Sequence, residues 1–243
     1  LSETQDDGVM SELMKALTVG FKPDKVKAVI SEGADIEERD AAGNTPLIIV
    51  SKYINAEPVK VLVEAGADVN AQNDEGQTPL MTASASGYNP AKIKALIDAK
   101  AYIDEKDNDG KTALMIAAKN NSEPHVLQML LAAGADPNEQ DNDGTTPLMH
   151  AACNLYRKPE TVSVLIKAGA DAQAIDYEYN TPLHYASLYN EYNYRSPAII
   201  GILLSYGAEI NAKNALGKTP LDTAKESGNL PAAKYLKEKN SKK

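Results

Sequence analysis

His150 and Cys153 lie three residues apart in PLMHAACN, a spacing that brings two side chains together on one face of a helix. A thiol beside an imidazole is the smallest set that makes a thiolate nucleophile. The sequence offers no third group to orient that imidazole and no oxyanion site. Packing is therefore the stronger reading, and a thiol enzyme built on Cys153 and His150 the remote one. Two strings raise the question of calcium: EKDNDG at 105–110 and EQDNDG at 139–144 place acids at the first, third and fifth positions of a loop and Gly at the sixth. The twelfth position needs a bidentate Glu but holds Ile116 and His150, so these acids are read as turn residues. His184 and His125 complete the histidines, and their places do not make a metal site. Gly-rich phosphate loops, Ser-His-Asp spacings and the HExxH motif do not occur. The expectation is no enzyme, no cofactor and no metal.

Composition narrows the partners. The 243 residues carry 25 Lys plus Arg against 34 Asp plus Glu, a formal charge of −9, which opposes a general hold on nucleic acid or anionic membrane. The lysines of KYLKEKNSKK read as a solvated end. No apolar run reaches the ~18 residues that span a bilayer, so a soluble protein is expected. The chain begins at Leu1 rather than Met, which leaves the cytoplasm and export after loss of a leader both open. One cysteine excludes an internal disulfide and leaves the redox compartment undecided. Aromatics make up 5% of residues within a 43% hydrophobic total, so the core must be aliphatic and Ala-rich, favouring close helix packing.

The elements that carry these groups follow a fixed period. NTPL, QTPL, KTAL, TTPL, NTPL and KTPL place Thr45, Thr78, Thr112, Thr146, Thr181 and Thr219 at steps of 33, 34, 34, 35 and 38. Gly33, Gly66, Lys100, Gly134, Gly169 and Gly207 each precede the next of these threonines by 12 residues, so all length variation falls after the TPL motif. The constant segment is a rigid joint rich in Asp, Asn and Gly, which predicts a turn-bearing hairpin. Thr followed by Pro opens a short helix of small apolar residues. Pro90, Pro124, Pro159 and Pro197 open a second helix closed by Gly or Lys ten residues later.

Hairpin, helix, turn and helix at this period, with TPLHYA at 181–186, resembles the ankyrin repeat over essentially the whole chain. The resemblance implies an all-α solenoid of stacked helix-turn-helix units joined by short β-hairpin fingers, held between caps. The expected units are an N-terminal capping helix pair (1–39), repeats at 40–72, 73–106, 107–140, 141–175 and 176–213, and a C-terminal capping repeat (214–243). Asn214 opens this last unit, which is expected to lose its hairpin. Two departures stand out. Lys100 replaces a C-cap Gly, and Tyr179 replaces the hairpin Gly kept as Gly43, Gly76, Gly110, Gly144 and Gly217, so that turn must be strained or rebuilt.

The resemblance further implies a protein-binding scaffold that uses finger tips and the palm of first helices, and a monomer when alone. The expected contact residues are Asp74, Glu75, Asp109, Lys111, Asn142, Asp143, Tyr177, Glu178 and Tyr179 on fingers, with Leu188 and Tyr189 on the palm. Tyr192 and Tyr194 lie in the long inter-helix insertion of the fifth repeat and either bind or anchor their own loop. Repeats 3–5 are expected to dominate, against a basic patch beside an apolar spot. An inhibitor or immunity-type protein that blocks a partner enzyme is the alternative. Tyr185 and His150 fall on the core side, and His184 is expected to tie its own motif together.

Overall fold

The structure, a computed structural model, describes residues 11–53, 55–86, 89–120, 124–153, 158–188 and 196–241. Among the described residues there are helices and turns but no strand. A helix pair, α1 (Glu12–Thr18) and α2 (Pro23–Ser31), opens the chain. An inner layer follows with α3 (Pro46–Ser51), α5 (Pro79–Ala85), α7 (Ala113–Asn120), α9 (Pro147–Cys153), α11 (Pro182–Ser187) and α13 (Pro220–Ser227). The outer layer is α4 (Glu57–Glu64), α6 (Pro90–Asp98), α8 (Pro124–Ala132), α10 (Pro159–Lys167), α12 (Ser196–Ser205) and α14 (Leu230–Asn240). Each helix packs on its counterpart in the next unit, so the layers run parallel from end to end.

Local sequence explains these elements. The hydroxyls of Thr45, Thr78, Thr112, Thr146 and Thr219 accept the amide three residues on, at 3.3–3.4 Å, and, except after Thr112 where Ala113 follows, Pro occupies the first helical position where no amide bond is needed. Inner helices bury Ala83, Ala117, Ala118, Ala151, Ala152 and Ala186, whose small size lets them approach closely. The outer layer fills the space behind them with Leu62, Leu96, Leu130, Leu165 and Leu203, all at 0% exposure. Truncating any of these to Ala would cost about 2–5 kcal/mol.

The fingers are tight turns rather than paired strands. In the second, the Asn73 amide donates to Gln77 O (3.2 Å) and the Gly76 amide to Asn73 O (2.9 Å), and the other turns repeat the pattern. A backbone bond joins each finger to the next: the amides of Asp74, Asn108, Asn142, Tyr177 and Ala215 donate to the carbonyls of Ala42, Glu75, Asp109, Asp143 and Glu178. The last unit keeps its turn, contrary to expectation, because the Asn214 amide reaches Lys218 O at 3.0 Å and Asn214 Oδ1 takes the amides of Leu216 and Lys218.

Positive φ makes the turn glycines necessary. A Cβ on Gly76 (φ 75°) would lie 2.8 Å from the Asn108 amide nitrogen. Tyr179 adopts φ 62° in this same turn, and its amide makes the usual bond to Asp176 O at 3.0 Å. The turn is thus strained and not rebuilt. Its neighbour in the next finger is Ala215, where earlier fingers place Asp74, Asn108, Asn142 and Tyr177, so the smallest side chain faces the one unit that has a Cβ. Lys100 likewise takes φ 70°, with the C-cap bond to Ile97 O intact at 3.0 Å.

Candidate functional site

The groups that suggested thiol chemistry are held in a structural clamp. Asp141 heads its turn, with Oδ1 accepting the amides of Asp143 (3.1 Å) and Thr145 (2.8 Å). Its other oxygen, Oδ2, accepts from His150 Nε2 at 3.0 Å in a buried pair. Burial would raise the Asp141 pKa, but the His150 hydrogen bond and the two amides outweigh it and leave it below the usual carboxylate range. An orienting group for His150 therefore exists, a correction to the sequence reading, but it fastens the imidazole to the turn. The Cys153 thiol donates to the backbone oxygen of His150 at 3.7 Å. Asp107, in the other calcium-like string, heads its turn likewise, its Oδ1 accepting the amides of Asp109 and Lys111. Among the described residues no three His, Cys, Asp or Glu side chains converge to hold a metal.

Tyr185 stands where His150 stands, four residues after the motif threonine, and its hydroxyl donates to Asp176 Oδ2 at 2.8 Å. Burial first, and then Asp176, push the phenol pKa up. His184 ties two units together. Its Nδ1 accepts from the Thr181 amide (3.1 Å), and its Nε2 donates to Lys218 O (3.0 Å) in the next unit. Burial lowers its pKa against the opposing pull of that carbonyl.

The predicted contact residues divide. Asp74, Glu75, Asp109, Asn142, Asp143, Tyr177 and Glu178 are exposed along one edge of the stack. Lys111 is half-buried and pairs with Asp109 at 2.6 Å, which holds its ammonium above the ordinary lysine pKa. The carboxylates of Asp74, Glu75, Asp143 and Glu178 make no ion pair among the described residues. The Asn142 side chain is partly committed to the fold, donating to Asn108 O at 2.9 Å. Tyr177 is 70% exposed, with its ring edge against Gly144. Tyr189, Tyr192 and Tyr194 lie outside the described residues.

Three hollows on the described residues bear on the site. Leu188 (39% exposed) and Leu216 (76%) line one of about 490 Å³ with Glu178, Tyr185 and Lys218, between α11 and α13. A second, of about 440 Å³, runs over α5 and α7, with Lys52, Lys111 and Lys119 beside Asp107 and Asp109. It lies toward the N-terminus of the expected repeats 3–5. Its one legible sign was the palm spacing, the seventh and eighth residues after each motif threonine, which marks Lys52, Ala85, Ser86, Lys119 and Asn120. Tyr179 joins neither and lines a third hollow with Ile175, Glu209 and Lys213. Exposed Tyr53 carries the same palm spacing, whereas exposed Tyr102 and Tyr206 carry no sequence mark beyond their type.

The comparisons agree with this geometry. A family model described as ankyrin repeats (three copies) matches residues 13–103, 55–141, 84–176 and 114–214. The crystal structure of the human ASB11 ankyrin repeat domain is similar over 93% of this chain and 98% of that chain, with 26% identity and a TM-score of 0.77. The ankyrin repeat domain of Bcl-3, a member of the IkappaB protein family, is similar over 94% of this chain and 98% of that one, with 26% identity and a TM-score of 0.75. No curated protein sequence matches.

Proposed function

We propose that this chain, which belongs to the ankyrin-repeat family, is a non-enzymatic scaffold that grips a partner protein along its fingers and inner helices. The observation that carries this reading is the row of exposed carboxylates at Asp74, Glu75, Asp143 and Glu178, without an ion pair among the described residues, beside exposed Leu188 at the end of the palm and Leu216 on the last finger. Unpaired like charges in a row steer a basic surface into place, and an apolar spot at one end supplies the burial that holds it. The partner it fits carries Lys or Arg residues beside an apolar side chain. Asp109 contributes less, because Lys111 neutralises it. Among the described residues no helix is long and apolar enough to cross a membrane.

Neither alternative gains from the geometry. The thiol-enzyme reading needs the Cys153 thiol set against the imidazole, and that thiol donates to the backbone oxygen of His150 at 3.7 Å. The inhibitor reading leaned on the insertion with Tyr192 and Tyr194, which lies outside the described residues.

Affinity purification with the intact chain, followed by mass spectrometry, would identify the partner. Its binding would then be measured against Leu188→Ala, Leu216→Ala and Glu178→Ala. A loss of about tenfold or more for each leucine is expected. Unchanged binding by all three variants would overturn the assigned face.

A further inference from the structure

The stack is stitched by two further rows of side-chain bonds, and both stop at its last junction. In the first row Glu37, Asn70, Asp104 and Asn138 accept the amides of Asp68, Tyr102, Asp136 and Asp171 in the next unit, at 2.7, 2.7, 3.2 and 2.8 Å. In the second row Arg39, Gln72, Lys106 and Gln140 donate to the carbonyls of Gln72, Lys106, Gln140 and Ile175, at 2.7, 3.2, 2.8 and 3.0 Å. The next members would be Gln173 to the Glu209 amide and residue 175 to Lys213 O. Neither bond forms among the described residues, and position 175 carries Ile, which has no donor.

Ile175 is 45% exposed where its four counterparts carry Arg, Gln, Lys and Gln. Four residues on, Tyr179 is 57% exposed in a backbone conformation that every counterpart gives to Gly. Each departure weakens the fold, the first through a missing hydrogen bond and the second through a left-handed backbone at a residue with a Cβ. Both residues line the same hollow of about 210 Å³, with Gln173, Glu209 and Lys213. Two structural rules broken at one surface point, each in favour of an exposed apolar side chain, mark selection for contact rather than for folding.

We propose that this hollow receives one apolar side chain from an extended, uncharged segment of a partner protein. The proposal rests on the scaffold reading and adds a second contact to it, since this hollow shares no lining residue with the one beneath Leu188. Its volume is below the ~300 Å³ at which small-molecule pockets begin, so it suits a single side chain. Glu209 and Lys213 cancel in charge at its rim, which favours a neutral occupant. The Glu209 amide and the Lys213 carbonyl, both without a hydrogen-bond partner among the described residues, offer one donor and one acceptor. An extended backbone supplies the complement of each, as in strand addition to an open edge.

The test uses the full chain and blocked tripeptides Ac-Ala-Xaa-Ala-NHMe, with Xaa Leu, Phe, Asp or Lys, at millimolar concentration in ¹H–¹⁵N spectra. The Leu or Phe peptide is expected to shift the amides of Ile175, Tyr179, Glu209 and Lys213, and the charged peptides to leave them in place. The double variant Ile175→Gln with Tyr179→Gly should bind at least tenfold more weakly while melting higher than the parent, which separates loss of the site from loss of the fold. No shift with any peptide, equal shifts with the charged peptides, or undiminished shifts in the double variant would overturn the proposal. Partner capture that survives this variant but fails with Leu188→Ala would refute this hollow and leave the scaffold reading standing.

Discussion

The imidazole of His150 holds Asp141 at 3.0 Å in the same relation that the phenol of Tyr185 holds Asp176 at 2.8 Å one unit later. Two unlike side chains at equivalent positions serve one purpose, to occupy the second carboxylate oxygen of a buried turn residue. What looked in the sequence like half of a nucleophile pair is the histidine form of a clamp that also exists as tyrosine.

His150→Ala should therefore destabilise the chain by about 1–3 kcal/mol in denaturant titrations, because Asp141 Oδ2 is left buried without a donor. His150→Tyr should cost less than half as much. The folded Asp141 pKa lies below its ordinary 3.8. Its stabilising contribution is therefore complete above that value and is lost as pH falls through the folded pKa. His150→Ala should flatten this acid limb.

His184 gives the opposite kind of group the same sign. Its folded pKa is held below the ordinary 6.5 by burial. As pH falls below 6.5 the unfolded chain takes a proton that the folded chain refuses, so stability declines toward the folded pKa. Unfolding free energies at pH 7.5 and 5.5 should differ more in the parent than in His184→Gln. An equal difference in both would contradict the assignment.

Tyr179→Gly and Lys100→Gly should each raise stability by about 1 kcal/mol, since both positions have positive φ and Gly adopts it without strain. In a chain of this size that corresponds to about 2–4 °C in Tm. Gly76→Ala should act the other way and by more, because the added Cβ meets the Asn108 backbone at 2.8 Å as well as the unfavourable φ. Differential scanning calorimetry on the three variants checks the ordering.

Lys92 is 1% exposed, and its ammonium donates to Ser51 O (2.8 Å), Tyr53 O (2.8 Å) and Ser86 Oγ (2.6 Å) just past the end of α3. Three acceptors match its three N–H groups, yet burial still lowers its pKa from 10.5 to about 8. Between these values the unfolded chain binds a proton that the folded chain has released. Stability should fall as pH drops from 10.5 to 8 and level off below. Lys92→Ala should abolish that slope and cost about 2–4 kcal/mol at neutral pH, from the cavity and the abandoned carbonyls.

Much of this was legible because a repeat makes each residue comparable with its counterparts. The Thr-Pro helix starts, the strain at Lys100 and Tyr179, and the role of His184 within its motif all follow from position in the period. The pairing of Tyr179 with Ala215 was also present in the alignment of units, but only the finger-to-finger bond shows that these two positions face each other. The stitching rows escaped for a similar reason. Arg39, Gln72, Lys106 and Gln140 look like ordinary surface polarity until their donors are seen to reach the next unit's carbonyls.

The sequence by itself determined the period, the helix ends and the layer each apolar residue enters, since these depend on local caps and on a pattern that only stacking can bury. Only the tertiary structure decided where function-bearing surface lies. Neighbouring units close both stitching rows at the earlier junctions and leave these two unmade at the last, and that difference arises between units 33 to 38 residues apart, where no local pattern reaches. Tyr177 and Tyr179, two residues apart in the chain, accordingly end at different places, one against Gly144 and the other over the hollow of Ile175 and Lys213.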